Sequence, residues 1–202
     1  MKNLLIIGVG GVGSYLARAL HEYDINDQLF NLQITLADGD EVDVKNLTYQ
    51  NFKADDILEN KAKVLAKKYN FIYIDKNIEI ETMSDQLKNY DAIVCAVDGT
   101  YFRKQFYNLM FKSLPETYWL DLRSTGKTVA AYSKNTKLTY DDMISTVPKE
   151  DVENGSCQHS FELEHNIVQG GNRIISEIGA QLILTWHRGE YKTNPSKFVY
   201  NF

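Results

Sequence analysis

Apolar positions in this chain fall into short continuous runs that alternate with stretches of helical periodicity. Leu4 to Ile7 is an unbroken apolar run, and Tyr15, Leu16, Ala19 and Leu20 follow at a spacing near 3.6. Residues 32–37 predict a second strand, and Ile57, Ala62, Leu65 and Ala66 line one face of a helix predicted over 54–69. A strand over 71–75 and a short helix over 83–87 lead to a fourth strand over 92–97. Phe102, Phe106, Leu109 and Met110 mark the next helix, and 118–122 and 128–132 predict two strands turned by Ser124-Thr125-Gly126. A long helix is predicted over 165–187 through Ile167, Ile174, Ile178, Leu182 and Trp186, with glycines 170, 171 and 179 permitting close packing. A strand over 197–202 closes the chain, and the polar segment 146–160, with Pro148 and Gly155, predicts a crossover loop. Strands alternating with helices predict an α/β fold with a mostly parallel sheet.

The junction of the first strand and helix reads Gly8-Val9-Gly10-Gly11-Val12-Gly13-Ser14. Strand, glycine turn, helix is the context that gives a Gly-x-Gly-x-x-Gly match its meaning. Gly8 permits the turn, Gly10 lets a phosphate approach the backbone, and Gly13 lets the helix sit close to the strand. The free N–H groups of the helix end then face the anion. The fold expected is therefore a Rossmann-like sheet with flanking helices, extended by the C-terminal strands and long helix. The glycines alone leave the nucleotide open.

A second cluster narrows the choice. Strand two ends at Asp38, where a dinucleotide enzyme also places an acid about 20 residues past its glycines. Here Asp38 opens Asp-Gly-Asp-Glu-Val-Asp-Val-Lys-Asn-Leu-Thr-Tyr-Gln-Asn-Phe, ending at Phe52. Lys61 follows on the next helix, and Asp98 follows the fourth strand, with Arg103 beyond. On an open parallel sheet the strand ends line one crevice, so these groups can converge on one ligand. Two other readings of single residues stand beside this: Lys61 as a solvated helix lysine among Lys53, Lys63, Lys67 and Lys68, and Asp98 as a helix N-cap.

The spaced set resembles the superfamily of ThiF, MoeB and the ubiquitin-activating enzymes, which adenylate the C-terminal glycine of ubiquitin-like proteins. The matching residues are the glycine motif 8–14, Asp38-Gly39-Asp40-Glu41-Val42, Asn46-Leu47-Thr48-Tyr49-Gln50, Lys61 and Asp98. The likeness runs from residue 1 to about Gly189 and is closest to compact bacterial forms, so 1–202 is expected to be a single adenylation domain. The resemblance implies ATP and Mg²⁺ as cofactors. Gly8, Gly10, Gly11, Gly13, Asp38, Asp40, Asn46, Gln50 and Lys61 would bind the nucleotide, with Asp38 on the ribose and Asn46 and Lys61 on phosphates. Asp98 would hold the metal, and Lys61 and Asp98 would act in catalysis. Cys157, in Gly155-Ser156-Cys157-Gln158, would accept the activated C-terminus as a thioester, with an inert small residue in a loop as the other reading. It also implies a ubiquitin-like or sulfur-carrier partner, a conjugating-enzyme-like protein downstream, and a homodimer or heterodimer formed through the apolar face after Asp98.

The chain departs from that pattern in two places with consequences. Tyr49 stands where members carry an arginine before the glutamine, and Met1 abuts the first strand, where members often have a helix that sends an arginine into a second subunit's site. Arg18, Arg103 or Arg123, or another chain, would have to replace the lost positive charge. A nucleotide-binding scaffold without activity is therefore the alternative function, and an NAD-dependent oxidoreductase the more distant one.

Composition adds boundaries. A net charge of −5 over 202 residues argues against sequence-independent nucleic-acid binding. No apolar run approaches the ~20 residues of a membrane span, and Met1-Lys2 leads straight into a strand, so no membrane association and a cytoplasmic location are expected. The two cysteines, Cys95 and Cys157, form no Cys-x-x-Cys pair, which excludes the four-cysteine zinc site of many family members. Cys95, inside an apolar strand, reads as core. His21, His159, His165 and His187 have no ligand spacing and read as structural or surface residues.

Overall fold

The computed structural model describes residues 1–125, 127–134, 137–148, 170–193, 195 and 197–202. Seven strands form one sheet in the order β3-β2-β1-β4-β5-β6-β7. Strands β1 (Lys2–Ile7), β2 (Leu32–Ala37), β3 (Ile72–Ile74), β4 (Ala92–Cys95) and β5 (Tyr118–Ser124) are parallel. Antiparallel β6 (Thr128–Ser133) and β7 (Lys197–Asn201) extend the β5 side. This is the α/β, mostly parallel architecture expected, extended at its C-terminal end.

Alternate strand residues face opposite layers, as the pleat requires. Leu4, Ile6, Leu36 and Val94 point into a core shared with α1 (Gly11–Asp24), α2 (Lys61–Tyr69) and the C-terminal helix. Leu5, Ile7, Ile93 and Trp119 point into a second core shared with α3 (Ile80–Leu87), α4 (Thr100–Asn108) and α5 (Tyr140–Ser145). The sheet is covered on both faces, which is why its central strands read as continuous apolar runs. The C-terminal helix, α6, is described over Gly171–His187, and the first residues of the expected 165–187 helix lie outside the described residues, as does most of the 146–160 loop.

Several boundaries differ from expectation for local reasons. The helix expected over 54–69 is interrupted: a 3₁₀ turn occupies Ala54–Asp56, and α2 begins only at Lys61. Asn60 sets that start, its Oδ1 accepting from the Lys63 backbone N–H at 2.9 Å. α4 gives way to a π turn over Leu109–Ser113. Gly179 does permit close packing, since a Cβ there would lie 2.5 Å from Leu122, whereas Gly170 has nothing nearer than 3.9 Å and serves as the N-cap of α6.

The apolar face after Asp98, expected to pair subunits, is spent inside the molecule. Phe106, Tyr107, Leu109 and Met110 are all buried in the second core, where Phe106 and Tyr107 contact Trp119 edge-on.

Candidate functional site

Three parallel strands end level with one another. Ile7 is in register with Ala37 on one side and with Cys95 on the other. The residues that follow, Gly8, Asp38 and Ala96, therefore emerge side by side at the point where the strand order reverses. This is where open parallel sheets hold ligands. A cavity of about 560 Å³ opens there. Its apolar wall is made by Ile7, Ala37, Ile78, Ala96, Val97 and Phe102, and its polar wall includes Asp38, Asp40, Asn46, Gln50, Lys61 and Asp98. Every nucleotide-site residue expected from the sequence lines it except Gly13, which supports it from behind.

The glycines act differently from one another. Gly8 has φ of +85°, a conformation other residues rarely adopt. A Cβ at Gly13 would sit 2.0 Å from the Gly8 carbonyl oxygen, so α1 presses directly on the turn. Gly10 caps α1 with no side chain in that role and lies under the Gln50 amide. Gln50 Oε1 is buried with no hydrogen-bond partner among the described residues, a place for a ligand or water at the glycine turn.

Asp38 locks two loops together. One carboxylate oxygen accepts from Val9 N–H at 2.7 Å and the other from Asp40 N–H at 2.9 Å. Burial holds its carboxyl above the ordinary aspartate range, against the pull of these two bonds and of Lys61. Asn60 adds a second tie, donating to the carbonyls of Asp38 and Asp40 at 2.8 and 3.2 Å. Lys61 is consequently the first residue of α2, where a cation is disfavoured by the helix dipole. Its ammonium is 2.9 Å from Asp40, and only 8 % of the side chain is exposed. An unfavourable, buried lysine on a cavity wall is unlike the solvated lysines around it.

Asn46 is buried in the 3₁₀ turn Val44–Thr48. Its Oδ1 accepts from Asp43 N–H at 2.9 Å, and its Nδ2 approaches the Tyr49 hydroxyl at 3.4 Å. Tyr49 lines the cavity, 8 % exposed, and its ring brings no charge. Asp98 also lines it and does not cap α4, whose N-cap is Gly99, so its carboxylate is left for the cavity. Desolvation raises the Asp98 pKa, opposed by Arg103 and Lys61. Among the described residues no three His, Cys, Asp or Glu side chains gather into a metal cage. A carboxylate on the wall of a cavity that could take phosphates is nevertheless the kind of arrangement by which Mg²⁺ is commonly held, through one or two acids and substrate phosphates.

The arginines offered as substitutes for the charge absent at Tyr49 are engaged elsewhere. Arg18 pairs with Glu22 on the exposed side of α1 at 2.8 Å. Arg103, 6 % exposed, donates to Asp121 and to the Val97 carbonyl. Arg123 bonds Asp121 at 2.8 Å, the Tyr107 hydroxyl at 2.6 Å, and Thr146 through both its carbonyl and hydroxyl. Asp121 itself is fully buried and also receives the Tyr107 hydroxyl, whose own pKa burial pushes up to about 12. None of the three arginines lines the cavity. Two residues that sequence reading passed over do: Lys45, and Asn77, whose Oδ1 accepts from Gly39 N–H at 3.2 Å. Lys45 was legible as the neighbour of Asn46; Asn77 carries no motif.

Cys157, His159 and His165 lie outside the described residues. Cys95 is fully buried, and burial raises its thiol pKa, as befits core. His21 packs on Tyr69 at 4.9 Å and His187 meets the Phe30 carbonyl at 3.0 Å.

The comparisons with known proteins agree with this architecture. The ThiF family model matches residues 2–202, and the chain belongs to that family. Among solved structures the chain is similar to E. coli MccB, with a TM-score of 0.72 and 18 % identity, covering 100 % of this chain and 59 % of that one. A second is PaaA, with a TM-score of 0.70 and 16 % identity over 100 % of this chain and 61 % of that one. A third is E. coli MccB with AMPCPP and selenomethionine MccA, with a TM-score of 0.68 and 18 % identity, covering 100 % and 60 %. The chain thus spans about 60 % of the length of these solved proteins. No curated protein sequence matches it. Among the described residues no helix is long and apolar enough to cross a membrane.

Proposed function

We propose that the chain is an adenylyltransferase that activates the C-terminal carboxylate of a small ubiquitin-like or sulfur-carrier protein with ATP. The observation that carries this is the convergence of Asp38, Lys61 and Asp98 on one cavity above the glycine turn. Family membership supports it, as does the peptide MccA in a structural neighbour. An oxygen of the substrate carboxylate attacks the α-phosphorus of ATP, the bond from that phosphorus to the α–β bridging oxygen breaks, and pyrophosphate leaves with that electron pair. No proton need move, because the attacking carboxylate is already ionised at neutral pH.

The work left to the protein is positioning and charge stabilisation. Asp38 binds the ribose hydroxyls with the lone pairs that Val9 and Asp40 leave unused. Lys61 has two ammonium hydrogens beyond the one given to Asp40, and Asn46 has an amide hydrogen, for phosphate oxygens. Asp98 would hold Mg²⁺, and the chemistry that ion would supply is neutralisation of negative charge on the phosphates. The apolar wall, from Ile78 to Phe102, takes the base. In the acyl-transfer step that follows, the Cys157 thiolate attacks the acyl-adenylate carbonyl and AMP departs.

Pyrophosphate exchange with candidate carrier proteins, ATP and Mg²⁺, followed by intact mass, tests the reading. The expected result is exchange that depends on Lys61 and Asp98 and a carrier adduct that thiols release only when Cys157 is present. Calorimetry showing NAD bound in preference to ATP would overturn it. Tight ATP binding without exchange under any carrier would favour the inactive scaffold.

A further inference from the structure

Among the described residues, the cavity is poor in positive charge for a triphosphate site: three carboxylates line it, Asp38, Asp40 and Asp98, against two lysines, Lys45 and Lys61. One of those lysines is already half neutralised, since Lys61 is buried against Asp40 at 2.9 Å. Arg103 and Arg123, the arginines anchored near the strand ends, are bound to Asp121 and do not line the cavity.

Lys45 differs from each of these. Its side chain is 72 % exposed, and its one ion-pair partner among the described residues, Asp43, stands at 3.9 Å, the outer limit of such a contact. Its backbone, by contrast, is fixed. Asp43 caps the 3₁₀ turn by accepting from Lys45 N–H at 3.0 Å, and Asn46 returns the bond to Asp43 N–H at 2.9 Å. A mobile ammonium on a rigid turn, beside a buried asparagine on the same wall, is built to close on an anion. It lines the same cavity as the uncharged Tyr49, four residues further along the chain.

We propose that Lys45 is a phosphate-binding residue of this site, engaging the phosphate chain of the nucleotide and replacing in position and charge what Tyr49 does not supply. The proposal rests on the nucleotide reading above and adds a residue to it. Lys45 discriminates among nucleotides by phosphate count, because its ammonium has nothing to bind on a nucleoside. Asp43 releases it on binding at little expense, since an exposed pair at that distance contributes almost nothing.

Calorimetric titration of the full chain with ATP and Mg²⁺, and separately with adenosine, tests this. Lys45→Met is expected to weaken ATP by about tenfold, the worth of one hydrogen bond to a charged group, and to leave adenosine unchanged. Lys45→Arg should retain ATP affinity, and Tyr49→Arg placed in the Lys45→Met chain should restore most of it. If Lys45→Met binds ATP as the wild type does while Lys61→Met is weakened, the nucleotide reading stands and Lys45 has no part in it. Equal losses for ATP and adenosine would mean a disturbed turn and would overturn the proposal. A wild-type chain that binds no ATP would take down both readings together.

Discussion

Replacing Asp121 by alanine should destabilise the fold more than any substitution on the cavity wall. The side chain is fully buried and is the shared acceptor of Arg103, Arg123 and the Tyr107 hydroxyl. Its loss removes from the Arg103 guanidinium, 6 % exposed, the carboxylate it pairs with among the described residues. Deleting one partner of a buried ion pair costs about 3–5 kcal/mol, a large share of the roughly 5–15 kcal/mol by which a domain is stable. For a chain of this size each kcal/mol moves Tm by about 2–4 °C, so a fall of roughly 6–20 °C is expected. Far-UV circular dichroism melts without nucleotide measure it. Arg103→Met combined with Asp121→Ala should cost less than the sum of the two single changes, because the uncompensated charge goes with its partner. A fall below about 2 °C, or strict additivity in the double variant, would refute the assignment of Asp121 as the charge that holds these arginines inside.

Other consequences are as direct. Lys61→Met should lower pyrophosphate exchange by about 10²–10³-fold while changing stability by less than about 1 kcal/mol, because Asp40 stays solvated; kinetics and a thermal melt read the two separately. Gly13→Ala drives a methyl into the Gly8 carbonyl and should cost at least about 1–3 kcal/mol, seen in the melt together with weaker ATP binding. Asp98→Asn should raise stability at pH 7, since the folded-state pKa of Asp98 lies above its unfolded value and the ionised form is the disfavoured one. That gain should shrink as pH falls through the carboxylate range and vanish once both states are protonated, which urea titrations across pH will test.

What the sequence discloses here is what lies close along the chain. Gly8 through Gly13 announces a strand-turn-helix because all its determinants sit within one turn of structure. Asp38, Lys61 and Asp98 are legible because each follows a strand or opens a helix, and level strand ends do the rest. The start of α2 was misjudged because apolar periodicity runs through Ile57, while a single asparagine decides where hydrogen bonding begins. The engagement of Arg103 and Arg123 has a different reason: both share Asp121, which is 18 residues from Arg103 and two from Arg123, and Arg123 also reaches Thr146, 23 residues on. Nothing in the spacing reveals that one buried carboxylate gathers both. Lys45 carries a signal only through its neighbour Asn46, while Asn77, which also lines the cavity, carries none in the sequence.

The helix α6 braces the glycine turn across most of the sequence. Ser176 Oγ donates to the Val12 carbonyl at 2.7 Å across 164 residues, and Asn172 approaches the Tyr49 carbonyl at 3.4 Å. A ribosome adding about 5–20 residues per second needs roughly 8–33 s to travel from the first of those positions to its partner. Through that interval the glycine turn exists as sequence but lacks its support, and the apolar strand Leu4–Ile7 has only part of its cover. The site written first is therefore completed last. Nascent chains stalled before residue 171 should hold no nucleotide, however long they are given, and such truncated chains are the ones a cell's chaperones will meet.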